Sequence, residues 1–479
     1  MILKRATWVS IIFCLGASQH LKGHSWDQAT AGPIFQNEPF VVVWNLPTAR
    51  CEECFGIVLP LGDYGIVENK GNEFRGQNMT IFYKNKFGLY PYITSEGEWH
   101  NGGIPQKADL KEHLERASKE IAELLHPNFQ GLAVVDWEEW RPLWRQNWGP
   151  KTVYKEASEQ WVQQRFPDLP AKKLSYLAEK EFEQAAKVFM DRTLTMGKEL
   201  RPQGLWGFYR FPECFNHNWE KEKDYSGHCH PKAVQQNNRL HWLWEVSSAL
   251  FPSIYLPPKL PLSKHQRYVH YRLREAFRVA QSGSKPPIPV IAYSRVSYRH
   301  SPRYLAKTDL VYTIGESAAL GTAGVALWGD LSYSHSPESC KSLRHYIVTT
   351  LGPYVVNVTI AARTCSHQLC HGNGRCVRQN PDDLGAFLHL SPHHWEGEPT
   401  VTDFLDQEVS AWEHFQCHCY PEWTGTWCER PQWIDAINGV EFNLASQYHD
   451  ICDTAHDNRV DVKSDVCPPS IYNEKAEFR

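Results

Sequence analysis

Gly131-Leu-Ala-Val-Val-Asp-Trp-Glu-Glu-Trp-Arg-Pro142 opens on an apolar run and turns abruptly acidic and aromatic. Gly131 to Val135 reads as a fully buried strand of a parallel sheet. Side chains at i and i+2 of a strand point the same way, so Asp136 and Glu138 project together from its C-terminal end while Glu139 faces the other side. In parallel α/β architectures that end is where active sites are assembled. Two carboxylates forced together cannot both ionise cheaply, so one keeps a proton towards neutrality. An acid that holds a proton beside a second carboxylate suits glycoside cleavage. The same spacing also fits an acidic pair that caps a helix or faces solvent.

Outward from that stretch, apolar runs and helical periodicities alternate. Phe40–Asn45, Met79–Tyr83, Leu205–Tyr209, Ser253–Leu256, Pro289–Tyr293 and Gly324–Trp328 read as further strands. Asp109–Leu125 reads as an amphipathic helix with Leu110, Leu114, Ile121 and Leu124 on its apolar side. A long helical region follows, broken at Pro167 and Pro170 and resuming from Ala171 to about Leu200. Helices are also expected over Arg267–Gln281 and Glu338–Thr350. Strands alternating with helices over this length predict an α/β fold closed into a modified (β/α) TIM-like barrel. The strands end on Asn45, Tyr83, Asp136 with Glu138, Tyr209, Tyr255, Tyr293 and Trp328, which a barrel would gather on one face.

The chain has 479 residues, enough for such a barrel and an appendage. A net charge of −4 provides no basic field for nucleic acid, which we exclude as a partner, so any polyanion must be gripped by a local cleft. The 19 Trp and 21 Tyr fit a carbohydrate site, though most such rings serve cores. Lys4 and Arg5 ahead of the apolar stretch Ala6–Ala17 read as a signal peptide over residues 1–18, with cleavage as late as Gly23. No later run is long enough to span a membrane, and the polar end Glu474–Arg479 carries no lipid-anchor signal. A secreted or lysosomal chain is expected. Asn78-Met-Thr80 and Asn357-Val-Thr359 are candidate glycosylation sequons.

Loss of Cys14 with the signal leaves 13 cysteines, an odd number, in an oxidising compartment. Cys365-x4-Cys370-x5-Cys376 and Cys417-x-Cys419-x8-Cys428 have the spacing of an EGF-like unit with a long insertion. The spacing gives the pairs Cys365–Cys376, Cys370–Cys417 and Cys419–Cys428. A zinc site on these cysteines, with His367, His371, His414 and His418 nearby, competes with it; we expect disulfides and no metal. The resulting division is a barrel over 36–362, an EGF-like domain over 363–430 and an unassigned tail over 431–479, in which Cys452 and Cys467 could pair.

The active-site stretch 131–142 resembles that of the animal hyaluronidases. So do Gly76-Gln-Asn-Met-Thr-Ile-Phe-Tyr83, Gly204-Leu-Trp-Gly-Phe-Tyr209, Leu250-Phe-Pro-Ser-Ile-Tyr255, Ile314-Gly-Glu-Ser-Ala-Ala319 and Leu327-Trp328. The likeness runs from about Phe40 to Arg430. Tyr83–Tyr92 and Phe251–Pro258 most resemble the type-3 vertebrate branch.

The resemblance implies an endo-acting, retaining glycosidase that cleaves β-1,4 bonds of hyaluronan, with no cofactor. Glu138 would be the proton donor. Asp136 would share its proton and orient the substrate's acetamide, whose oxygen attacks the anomeric carbon. Tyr255 would bond the acetamide and Trp328 would wall its pocket. Asn45, Tyr83, Tyr209, Glu213 and Tyr293 would be further substrate contacts. Cys51–Cys340 and Cys214–Cys229 carry over as disulfides, leaving Cys54 as the odd thiol. Glu213 stands where active relatives have Asp, and Arg299 where some have Asp. Arg299 could hold a glucuronate or lie in solvent. Other readings are a catalytically weak hyaluronan-binding paralogue and a hydrolase of chondroitin. We expect a monomer without a membrane anchor.

Overall fold

The computed structural model describes residues 30–35, 37–221, 224–282, 287–390 and 412–432. The expected signal peptide, Cys452, Cys467 and the tail beyond 432 lie outside them. Six parallel strands form two three-stranded sheets. One contains β1 (Val41–Asn45), β5 (Ile291–Ser294) and β6 (Gly324–Trp328), with β6 in the middle. The other contains β2 (Met79–Tyr83), β3 (Leu132–Asp136) and β4 (Leu205–Phe208), with β3 in the middle.

Two irregular segments join these sheets. Leu250 to Ile254 lies between β4 and β5: Arg210 N–H donates to Phe251 O at 2.8 Å and Tyr293 N–H to Pro252 O at 2.8 Å. The expected strand Ser253–Leu256 is therefore absent as a regular element, and pairing is confined to single bridges at Leu250, Phe251 and Ser253. Pro252 has no N–H to give, which prevents a continuous ladder. On the other side, Val67 bridges Val43. Next to it the Asn69 side chain takes the place of a backbone strand. Its Nδ2 donates to Met79 O at 2.9 Å and its Oδ1 accepts from Met79 N–H at 3.1 Å.

Alternation along the strands divides the core. Val41, Val43, Met79, Ile81, Leu132, Val134, Ile291, Tyr293 and Ala326 pack into one inner cluster. The intervening residues, among them Phe82, Ala133, Val135, Trp206 and Phe208, pack outward against helices. Six strands contributing alternate residues to a single interior form a ring.

The outer helices follow local signals. In α1 (Leu110–Leu124), Asp109 caps the start by accepting from Glu112 N–H at 2.9 Å. Its buried line is His113, Ala117 and Ile121, with the expected leucines flanking it. Burial pushes the His113 imidazole down to about 4, so it stays neutral, bonded to Thr193 Oγ1 at 2.9 Å. α2 (Thr152–Arg165) stops before Pro167, and α3 (Ala171–Leu200) starts directly after Pro170. α4 (Leu262–Ala280) starts five residues earlier than expected, behind Pro261.

Cys51 is bonded to Cys340, tying the segment after β1 to α5 (Pro337–Tyr346), which follows β6. Cys214 is bonded to Cys229, and Cys54 is a free, exposed thiol. The helical path continues from α5 into α6 (Gly352–Cys370), so the expected boundary at 362 falls inside one helix. The end of α6 carries Cys365 and Cys370, which bond Cys376 and Cys417 on an antiparallel pair, β7 (Gly374–Arg378) and β8 (Phe415–Cys419). Cys419 bonds Cys428. With these six cysteines oxidised, no thiolate remains among them for the zinc alternative. The small unit is fastened to the ring by a buried pair, Arg378 Nη2 to Glu316 Oε2 at 2.9 Å, with His270 on the same carboxylate.

Neither sequon lies on open surface: Asn78 is half-buried and donates to Glu68 O at 2.7 Å, and Asn357 in α6 is 4% exposed. Among the described residues, no helix is long and apolar enough to cross a membrane.

Asn69 is 3% exposed and bonds both polar groups of Met79. Asn69→Leu keeps the volume and strands those groups, so it should destabilise the fold by about 3 kcal/mol. Thermal unfolding should show a midpoint lower by several degrees. An unchanged midpoint would mean that the ring closes without this side chain.

Candidate active site

The inward rows of the ring end at one face. Asn45, Tyr83, Asp136 and Trp328 close β1, β2, β3 and β6, and Tyr209 follows β4. Glu138 lies two residues past the end of β3, in irregular chain, and lines the same cleft as Asp136. A cleft of about 440 Å³ opens there, lined by Asp136, Glu138, Tyr209, Tyr255, Tyr293 and Trp328. That is the size of a small-ligand or single-sugar site. Glu139 turns away and pairs with Lys84.

The aromatic wall is held by its own contacts. Trp328 Nε1 donates to the Tyr83 hydroxyl at 2.9 Å, and the Trp328 ring stacks with Tyr255 at 6.2 Å between centroids. Tyr209 packs edge-on to Tyr293 at 5.1 Å. Burial raises the phenols of Tyr83, Tyr255 and Tyr293, and pushes Tyr209 up to about 12. All four are neutral hydroxyls at physiological pH.

Two expected contacts do not reach the cleft. Asn45 is 1% exposed and sits behind Tyr293, whose hydroxyl donates to Asn45 Oδ1 at 3.5 Å. Glu213 is 3% exposed, locked between two arginines. Its extra methylene is used to meet cations, so it acts behind the wall. Tyr83 also contributes through Trp328, as its support.

The carboxylate pair is asymmetric. Arg210 Nη1 donates to Glu138 Oε1 at 2.9 Å, and Arg141 Nη2 approaches the same oxygen at 3.4 Å. Both arginines also hold Glu213 Oε1, Arg210 through Nε at 2.9 Å and Arg141 at 3.4 Å. Asp136 has no such counter-ion, and its buried Oδ1 has no hydrogen-bond partner. Burial first, and the Glu138 charge second, push Asp136 up to about 7. Burial alone would raise Glu138 too, but Arg141 and Arg210 hold it below the usual carboxylate range. Below neutrality the pair therefore shares one proton, which rests on Asp136.

Of the cleft's cations, sequence reasoning singled out Arg299 and missed the others. Besides Arg210, the cleft is lined by Arg272, Arg295 and Arg299. Arg295 lies over the Trp328 ring at 4.8 Å and reaches Asp330 at 3.3 Å. Arg272 is fixed by Asn216 Oδ1 at 2.9 Å and Ser253 O at 2.8 Å. Arg299 stands on the cleft wall with its Nε unpartnered. Among the described residues no cluster suited to a metal ion occurs.

Residues 29–432 match the sequence profile of a family described as Hyaluronidase. The chain is 54% identical to mouse Hyaluronidase-3 over 396 residues, covering 82% of this chain and 93% of that one. It is 50% identical to human Hyaluronidase-3 over 424 residues, covering 88% and 96%. Among solved structures, bee venom hyaluronidase in complex with a hyaluronic acid tetramer is 30% identical. It superposes with a TM-score of 0.61 over 66% of this chain and 98% of that one.

Infrared difference spectra taken below and above about pH 7 should show loss of a neutral carboxylic acid band as pH rises, because the raised group gives up its proton there. Asp136→Asn should remove that band. Its persistence in the variant would place the proton elsewhere.

Proposed function

The chain belongs to the hyaluronidase family and is a hyaluronan-degrading glycoside hydrolase, and we propose that it cuts the polymer internally with retention of configuration. The bonds cleaved are the β-1,4 links between N-acetylglucosamine and glucuronate. The reading rests chiefly on one observation: a buried, proton-holding Asp136 beside an Arg-paired Glu138 in an aromatic cleft.

Retaining glycosidases commonly place two carboxylates on opposite faces of the sugar. Asp136 and Glu138 come from one strand end, on one side of the cleft, which suits a different division of labour. Glu138 protonates the leaving glycosidic oxygen. The substrate's acetamide oxygen attacks the anomeric carbon, and Asp136, having passed the shared proton to Glu138, holds the acetamide N–H as a carboxylate. Water then opens the cyclic intermediate, with Glu138 taking a proton from it. Tyr255 and Trp328 enclose the acetamide. The neutral phenols supply donors without adding charge.

We read the ring as a modified β/α barrel in which Leu250–Ile254 stands in for a strand, and the disulfide-rich unit as an EGF-like module with an insertion. Five disulfides among the described residues favour the secretory route, to the exterior or the lysosome. The two arginines on Glu138 also favour a second reading, a chain that grips hyaluronan and turns it over slowly.

Glu138→Gln keeps the shape of the acid without its proton. Its cleavage rate should fall by about 10²–10⁴ or more, while hyaluronan binding persists. Polymer size on a gel beside an affinity measurement checks both, and substantial cleavage by the variant would remove Glu138 as the acid. Because the pair's last proton leaves as pH rises through about 7, wild-type cleavage should decline on that side and be stronger in acid.

A further inference from the structure

Arg210 is a cleft residue whose geometry the proposed reaction does not explain. It has a φ of +73°, a left-handed conformation that a side chain with a Cβ rarely adopts. Its N–H is bonded to Phe251 O at 2.8 Å, which fixes the backbone in that turn. From there the side chain is directed at the two glutamates. Nε meets buried Glu213 and Nη1 meets Glu138, both at 2.9 Å, and the side chain remains 34% exposed on the cleft. A general acid must carry a proton to act, and an arginine at this distance opposes that.

The surroundings of Glu138 leave Arg210 as the adjustable partner. From its own strand it faces Asp136. From the segment that follows it faces Arg141 and Lys151, whose Nζ donates to the Glu138 and Glu139 carbonyls. From the segment after β4 it faces Tyr209, Arg210 and, through the arginines, Glu213. Arg141 is buried and shares its Nη2 between the two glutamates. Arg210 can keep its Nε on Glu213 as a pivot while its Nη groups, which are reachable from the cleft, exchange one carboxylate for another.

We propose that Arg210 is a positioning residue that holds Glu138 as an ion pair in the empty cleft and transfers its guanidinium to a glucuronate carboxylate of the bound polymer, freeing Glu138 to take the proton from Asp136. The inference rests on the hyaluronan reading above and extends it to substrate choice. A uronate can replace Glu138 on Arg210 one for one, whereas a neutral N-acetylhexosamine polymer has no anion with which to do so. Where the pair already carries its proton the exchange only moves it from Asp136 to Glu138, and near neutrality, where the pair is partly ionised, binding draws a proton in. Removal of the cation and arrival of the uronate both favour the protonated pair.

The pH dependence of kcat/KM reports the free enzyme and that of kcat the bound enzyme, so the exchange can be read directly. In the wild type acting on hyaluronan, the alkaline limb of kcat should lie about one unit above that of kcat/KM. Arg210→Gly, which suits the positive φ, should raise the kcat/KM limb, close the gap and increase KM for hyaluronan. Arg210→Lys should restore part of the gap. Coincident wild-type limbs, or an Arg210→Gly enzyme with an unchanged gap and KM, would overturn the proposal. Calorimetry with a hyaluronan tetrasaccharide in buffers of different ionisation enthalpy provides a readout without turnover. Proton uptake on binding should be clear in the wild type near pH 7 and reduced in Arg210→Gly, and equal uptake in both would overturn the exchange. A wild type that binds with uptake but does not cut would overturn the proposed reaction and support the exchange. One that does not bind hyaluronan would overturn both.

Discussion

Two carboxylates at the end of one buried strand repel each other, and the chain places cations against only one of them. Glu138 is paired with Arg141 and Arg210, while buried Asp136 makes no ion pair among the described residues and feels those arginines only at longer range. The asymmetry makes the pair hold a single proton into the neutral range. Much of the surrounding structure maintains that condition. The inner apolar rows of the ring bury the strand that ends in Asp136, the aromatic wall narrows access, and Glu213 keeps both arginines in place.

The ring is what makes one strand end consequential. Its parallel register lines up Tyr83 with Asp136, and Asn45 with Trp328. Each inward row ends on a side chain that lines the cleft or supports one that does. Cys51–Cys340 joins the first and last strands' following segments, and the Arg378–Glu316 pair fastens the disulfide-rich unit to the body. A buried pair of this kind specifies how parts fit more than it stabilises them, because desolvation offsets much of the attraction.

The sequence was most readable where local physics dominates. Continuous apolar runs located β1, β2, β3 and β6, and two prolines marked the break between α2 and α3. The carboxylate spacing pointed to Asp136 and Glu138 on one side, and both line the cleft although the strand itself ends at Asp136. What escaped depended on partners distant in the chain. Arg210 meets Glu138 across 72 residues, and no pattern around it announces that contact. Asn69 imitates a strand with its side chain, which periodicity cannot detect. The resemblance placed Glu213 among the substrate contacts, yet its neighbours bury it. The segment around Pro252 pairs on both sides without forming a regular strand, so its position was only approximately legible.

The central claim is that one strand-end pair works with the substrate's own acetamide, and the anomeric form of the newly released reducing end tests it most directly. Proton magnetic resonance during the first moments of hyaluronan cleavage, before the ends equilibrate, should show the β-anomer alone. First appearance of the α-anomer would mean direct attack by water under a second, opposing base, which contradicts a pair acting from one side.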